Sequence, residues 1–307
     1  MKKVLVFALV LAMAFGVFAC GKPAPSTGAD VPDITIKVGS KDFTEQLILG
    51  QMAILALKNA GYKVEDKTNV AGSDTCRKAL EAGEFDLYWE YTGTAWSMLL
   101  ANEEMVADPQ LLFDKVKEAD AANGITWLKY APMNNTYALV MSEARSAELG
   151  ITSYTELGAY IAEHPGELVL ACDHEFTARP DGLPGLVTTY GTDFGESVTT
   201  MDMGIVFTTL KDGQADVGMV FATDGRIKAN NLLVLNDDKS FFPIYNGAVC
   251  IRTETLTAAP EIQGILEPIS ALLTDAVMQE LNAKVDIDGY EPAEVAEEFL
   301  KANGFLP

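Results

Sequence analysis

Residues 80–86 read LEAGEFD and residues 210–216 read LKDGQAD, and each stretch runs into an apolar segment that ends in an aromatic residue. Leucine, glycine and aspartate stand at the same offsets in both copies, and the aromatic residues are Tyr91 and Phe221. The pattern predicts a helix, a glycine that ends it, and a buried strand. Open α/β sheets bind ligands at the carboxyl ends of their strands. The repeat therefore predicts two similar lobes that each present one ring to a shared cleft, with ordinary core packing of both rings as the alternative.

Length and charge narrow the class of protein. The 307 residues are enough for two domains, and the composition, 49% hydrophobic and 21% charged, is that of a globular protein. The formal net charge of −22 argues against nucleic acid binding, because phosphate contacts need a basic surface. Solubility is the simplest explanation of the acidity.

The N-terminal segment predicts export and membrane attachment. Residues 1–19 combine Lys2 and Lys3 with an apolar run, which is typical of a signal peptide. Residues 17–21, VFACG, resemble a bacterial lipobox in which Cys20 is lipidated, and residues 20–32 form a Pro/Ser/Gly-rich tether. We therefore expect a lipid-anchored protein on the outer face of the bacterial cytoplasmic membrane, with a plain secretory signal as the alternative.

The remaining cysteines give little sign of catalysis or metal binding. Cys76, Cys172 and Cys250 lack metal-ligand spacing, and they allow at most one disulfide of unknown pairing. The stretch CDHE at 172–175 superficially resembles a nucleophile beside a base, but neighbouring strand residues point to opposite faces. No glycine-rich phosphate loop is present. We expect no enzyme activity, no metal and no cofactor.

Helix and strand patterns alternate along the chain, which predicts mainly parallel sheets. Ser73 and Asp74 are predicted to cap the helix that leads into the first repeat. The strand that begins at Thr136 is predicted to cross to the second lobe, and a loop before Ala248 returns to the first. Two crossings make a hinge. The predicted first lobe is 33–136 plus 244–307, and the predicted second lobe is 137–243.

Four motifs carry a family resemblance. GSKDFTEQ at 39–46, EYTGT at 90–94, RPDG at 179–182 and ATD at 222–224 resemble the glycine betaine/carnitine/choline-binding family of ABC transporter substrate-binding lipoproteins. Members are receptors for quaternary ammonium osmoprotectants. The resemblance covers 33–307 and implies a two-lobed, periplasmic-binding-protein-like (type II) α/β fold with two hinge crossings.

The resemblance also implies a ligand site. A quaternary ammonium has a diffuse charge and no N–H donor, so aromatic faces hold it through the ring quadrupole. The carboxylate of a betaine needs cationic or hydroxyl donors at the other end. The implied aromatic box is Tyr91, Tyr137, Phe221 and Tyr245. The implied carboxylate end is Lys41, Thr94 and Arg179, and Asn135 matches a main-chain carbonyl that the family places beside the cation. Phe221 departs from the family, which often has tyrosine there.

These observations predict a monomeric solute receptor that binds a quaternary ammonium compound between two lobes and docks on a permease driven by an ATPase. The alternatives are a receptor for another small amine or betaine and a solute sensor without transport. The sequence does not rank glycine betaine, choline and carnitine, and it does not give an affinity or say whether osmotic stress controls expression.

Overall fold

The computed structural model describes residues 32–307. The predicted signal peptide, Cys20 and nearly all of the predicted tether lie outside the described residues. Within these residues the chain forms two five-stranded sheets. The strands are β1 (Thr35–Lys41), β2 (Lys63–Val70), β3 (Leu87–Tyr91), β4 (Ile125–Trp127), β5 (Tyr137–Ser142), β6 (Leu170–Cys172), β7 (Val198–Thr200), β8 (Val217–Phe221), β9 (Leu232–Val234) and β10 (Gly247–Arg252).

Helices connect the strands in both sheets. The first half contains α1 (Thr44–Asn59), α2 (Ser73–Glu81), the short turn α3 (Thr92–Thr94) with a π-helical turn at Ala95–Leu99, α4 (Pro109–Ala121), α5 (Glu143–Leu149) and α6 (Tyr154–Glu163). The rest are α7 (His174–Ala178), α8 (Leu183–Tyr190), α9 (Met203–Lys211), α10 (Arg226–Ala229), α11 (Thr253–Ala258), α12 (Glu261–Ser270), α13 (Asp275–Asp286) and α14 (Pro292–Ala302). Across residues 32–307, none of these helices combines the length and apolar character that a membrane crossing needs.

The sheets are mixed, so the prediction of mainly parallel sheets is wrong. The strand order is β2-β1-β3-β10-β4 in the first sheet and β7-β6-β8-β5-β9 in the second. In each sheet one strand, β10 or β5, runs antiparallel to both of its neighbours. These are the two strands that enter from the opposite lobe, and the crossing reverses their direction. Each sheet therefore has two parallel and two antiparallel pairings.

The sequence repeat is also a structural repeat. Helices α2 and α9 are followed by Gly83 and Gly213, which have φ of +72° and +67°. The backbone N–H of each glycine donates to the carbonyl three residues earlier, at 3.1 Å in both copies. The repeat aspartates then accept from the neighbouring parallel strand, Asp86 from the Lys37 N–H at 2.7 Å and Asp216 from the Val169 N–H at 3.1 Å. The pattern thus fixes both the end of each helix and the register of the strand that follows.

The two glycines allow a matched test. We expect Gly213→Ala to cost about 1–2 kcal/mol, the strain of a left-handed backbone, because no atom of the described residues lies within 4 Å of an added Cβ. Gly83→Ala should cost about 1 kcal/mol more, because its Cβ would lie 2.9 Å from Nη1 of Arg252, which donates to the Leu80 carbonyl. Urea unfolding of both variants checks the order, and equal losses would contradict it.

The prediction that Ser73 and Asp74 cap α2 is wrong. The N-cap residue is Gly72, and no side chain of the helix's own segment caps it. Instead, the backbone N–H and the hydroxyl of Ser73 donate to the Glu175 carboxylate at 2.6 and 3.1 Å. Glu175 belongs to α7, on the side of the second sheet, so a contact across the cleft satisfies the helix end.

The cysteines and the sheet core complete the fold. Cys76, Cys172 and Cys250 are buried free thiols, so none of these three forms a disulfide.

Strand β3 is buried at all five positions, as expected for a central strand covered on both faces. Its one charged residue, Glu90, is fully buried and belongs to the site described next.

Candidate functional site

A cavity of about 650 Å³ lies between the two sheets, and all eight residues predicted for the ligand site line it. The strand ends explain this convergence. Lys41, Tyr91 and Phe221 are the last residues of β1, β3 and β8, and Tyr137 is the first residue of the antiparallel strand β5. Asn135 and Tyr245 lie just outside the crossing strands, and Thr94 ends α3.

The four predicted rings form one cluster together with a fifth. Tyr137 stacks on Phe221 with centroids 5.6 Å apart and meets Tyr245 edge-on at 5.6 Å. Phe43 stacks on Phe221 at 5.0 Å and lies 6.3 Å from Tyr91. Sequence reasoning missed Phe43, although it stands within the quoted GSKDFTEQ motif. Phe43 links the rings of the two sheets, because Tyr91 ends a strand of the first and Phe221 a strand of the second.

The two cations predicted to hold a carboxylate are already paired. Nζ of Lys41 lies 2.6 Å from the Glu90 carboxylate and 5.2 Å from the centre of the Tyr91 ring. Arg179 is 5.4 Å from the centre of the Tyr137 ring, and its Nε and Nη2 donate to Asp181 at 2.8 and 2.6 Å. Both cations therefore occupy the cavity wall as ion pairs, and each lies over an aromatic ring of the predicted box.

Asp181 is the centre of a buried polar network. Besides Arg179, it accepts hydrogen bonds from the Tyr245 hydroxyl and the Ser97 hydroxyl, both at 2.6 Å. Burial alone would raise the pKa of this carboxyl, but the hydrogen bond and charge of Arg179 hold it below its ordinary value. The network orients Tyr245 and joins the RPDG segment to residues on the side of the first sheet.

Glu45 is a second carboxyl in the cavity that sequence reasoning missed. It is 2% exposed, and its Oε1 accepts from the Tyr91 hydroxyl and from Nδ2 of Asn135, both at 2.7 Å. Its Oε2 accepts from Nδ2 of Asn282 at 3.2 Å. Burial raises the pKa of Glu45 above its ordinary value, and hydrogen bonds from Thr223 and from these three donors offset only part of that effect. Glu45 thus fixes the orientation of two predicted ligand residues.

The CDHE segment does not have the geometry of a catalytic site. Cys172 is fully buried at the end of β6, and burial raises the pKa of its thiol to about 12, which disfavours the thiolate. His174 opens α7 and lines the cavity instead. Within residues 32–307, no cluster of three or more His, Cys, Asp or Glu side chains is placed to hold a metal ion.

Comparisons with known proteins agree with this architecture. The chain is 40% identical to a glycine-betaine-binding protein of Pseudomonas aeruginosa, over 98% of this chain and 96% of the relative. It is 31% identical to the glycine betaine-binding protein YehZ of Escherichia coli, over 88% of this chain and 91% of the relative. A crystal structure described as that of a glycine betaine/carnitine/choline ABC transporter superimposes with a TM-score of 0.71 at 29% identity, covering 88% of this chain and 99% of that one.

Residues 34–302 match the family described as the substrate binding domain of ABC-type glycine betaine transport system. The match spans both sheets and every residue of the cavity wall named above. The two-lobed fold and the receptor class expected from the motifs are thereby confirmed, and the chain is a binding protein rather than an enzyme. The chain belongs to the family of substrate-binding domains of ABC-type glycine betaine transport systems.

Proposed function

We propose that this protein is the extracytoplasmic receptor of an ABC importer and that it binds a quaternary ammonium compound in the cavity between its lobes. The observation that carries the proposal is the convergence of Tyr91, Tyr137, Phe221, Tyr245 and Phe43 on one cavity. Several ring faces around a methylated cation exclude water and supply cation–π attraction. The names of the relatives support the same ligand class.

The roles of the polar residues follow from their partners. The Asn135 N–H donates to the Tyr245 carbonyl at 3.1 Å, which ties two proposed ligand residues together at the hinge. Lys41, Thr94 and Arg179 remain the proposed contacts for a ligand's polar end. Because Lys41 and Arg179 are each ion-paired, we propose that they contribute dipolar and hydrogen-bonding contacts rather than free charges.

A thermal-shift panel tests the ligand class. Choline, glycine betaine and carnitine should raise the melting temperature, because a ligand that binds only the folded state stabilises it by mass action. Ethanolamine and glycine are the matched controls, since they are choline and glycine betaine without the methyl groups. Equal shifts with methylated and unmethylated compounds, or no shift with any of the three onium compounds at millimolar concentration, would contradict the proposed class.

We further propose that Cys20 carries a lipid that anchors the receptor beside its permease and ATPase subunits. The support is the VFACG sequence behind an apolar leader, followed by the tether. We expect mass spectrometry of the wild-type N-terminus to find a lipid-modified Cys20, and Cys20→Ser to lack that modification while its binding affinity stays unchanged. An unmodified N-terminal cysteine in the wild-type protein would refute the anchor.

A further inference from the structure

The cavity carries a large excess of negative charge. Seven acidic and three basic side chains line it, which leaves a formal excess of four negative charges with His174 neutral. The three bases are all ion-paired, Lys41 with Glu90, Arg179 with Asp181 and Arg226 with Asp224. Two of these partner carboxylates, Glu90 and Asp181, are not among the seven that line the cavity. Arg179 and Arg226 also lie 3.6 and 3.4 Å from two lining acids, Glu175 and Asp286. Among residues 32–307, the lining acids that pair with no Lys or Arg are Asp42, Glu45, Asp173 and Asp202.

Glu45 is the least exposed of these acids. Its three hydrogen-bond donors, from Tyr91, Asn135 and Asn282, are all neutral. No Lys or Arg within residues 32–307 forms a salt bridge with Glu45, whereas Lys41, Arg179 and Arg226 each do so with another acid. A buried carboxylate without a counter-charge is costly, and a cation beside it offsets that cost.

Two further groups add partial negative charge at the same place. Asn135 and Asn282 both line the cavity and both point Nδ2 at Glu45. The Oδ1 atom of each is buried and has no hydrogen-bond partner among the described residues. The carboxylate fixes these amide orientations, because the opposite orientation would place an amide oxygen against a carboxylate oxygen.

Resting on the proposed function, we propose that Glu45 is the counter-charge for the ligand's onium group and biases this site toward ligands of net positive charge over zwitterions. Choline gains the full attraction of the buried carboxylate. Glycine betaine gains it at its ammonium group but loses part of it at its own carboxylate, which the same residue repels. The Oδ1 atoms of Asn135 and Asn282, which lack hydrogen-bond partners among the described residues, also favour choline. The choline hydroxyl can donate to such an acceptor, whereas glycine betaine has no donor.

The test compares two ligands in the same samples of the full chain by isothermal titration calorimetry. The probes are choline and glycine betaine, and the measured quantity is the ratio of the glycine betaine Kd to the choline Kd. Glu45→Gln removes the charge at nearly constant shape, and we expect this ratio to fall about tenfold or more. Glu45→Asp keeps the charge and should hold the ratio within about threefold of the wild-type value.

Asp42→Asn is the matched control, because Asp42 stands in the same motif as Glu45 and also lines the cavity but is exposed. It loses the same formal charge in a solvated place, so its ratio should stay within about twofold of wild type. If Glu45→Gln keeps the wild-type Kd ratio, or if Glu45→Asp lowers the ratio as much as Glu45→Gln does, the role of Glu45 is overturned. The proposed function stands in either case. Failure of the wild-type protein to bind either compound overturns the proposed function and this inference with it.

Discussion

Replacing Asp181 with asparagine is expected to lower the free energy of unfolding by about 3–5 kcal/mol. The Arg179 and Asp181 side chains are only 3% and 5% exposed, so the variant removes the nearer counter-charge of a buried guanidinium. The Glu175 carboxylate, 3.6 Å from Nη1 of Arg179, is the acidic partner that remains. The Tyr245 and Ser97 hydroxyls also lose a charged acceptor. Urea unfolding monitored by tryptophan fluorescence measures the loss.

Asp74→Asn provides the control for this prediction. Asp74 pairs with Lys78 on the surface of α2, where both side chains are more than half exposed, and the loss should be below about 1 kcal/mol. The pH dependence adds a second check. Because the pKa of Asp181 is held below its ordinary value, its contribution is complete above about pH 4 and decreases as the pH falls further. A deficit in Asp181→Asn that equals the Asp74→Asn deficit at pH 7 would show that the buried pair contributes little.

Replacing Tyr137 with leucine is expected to weaken quaternary ammonium binding at least about tenfold, or about 1–2 kcal/mol. Leucine keeps an apolar side chain at the first residue of β5 but removes the ring face. Tyr137 is a cleaner test of the aromatic box than Tyr91 or Tyr245, whose hydroxyls bond Glu45 and Asp181. Within residues 32–307, by contrast, the Tyr137 hydroxyl has no hydrogen-bond partner, so the substitution breaks no hydrogen bond.

Tyr137→Phe separates the ring from its hydroxyl. This variant keeps the stacking on Phe221 and the edge contact with Tyr245, so its affinity should stay within about twofold of wild type. Calorimetric titration of choline into both variants supplies the comparison, and melting temperatures show whether each is folded. Equal affinities in the leucine and phenylalanine variants would mean that the ring contributes only as apolar bulk.

The sequence predicted the local features of the fold well because they depend on neighbouring residues. The repeat correctly located the ends of α2 and α9 and the strands β3 and β8 that follow them. Strand direction depends instead on whether the chain enters the strand from the same lobe or from the other lobe. The antiparallel position of β10 between β3 and β4 is fixed by the chain crossing, which no local pattern encodes.

The candidate site likewise combines features that local motifs predict with features that depend on the tertiary fold. Motifs placed Lys41 and Arg179 in the cavity, but they did not show that each would be neutralised. The Lys41–Glu90 pair needs β1 and β3 to be neighbours in the sheet, so it is a tertiary contact between distant motifs. Phe43 and Glu45 stood within a quoted motif, yet only the fold shows that one joins the ring cluster and the other accepts from Tyr91.

The aromatic rings of the site and the Ser73–Glu175 contact are placed differently with respect to the two chain crossings. Asn134 and Asn246 of the two crossings form a β-bridge with each other, so the pivot lies beside them. Tyr91 pairs with Gly247 and Phe221 with Tyr137, each within three residues of that bridge. Domain closure is absorbed by a few residues at such crossings. The Ser73–Glu175 contact that caps α2 joins two elements that belong to neither crossing. We therefore expect the Ser73–Glu175 contact to break when the lobes separate, while the strand pairings beside the bridge persist.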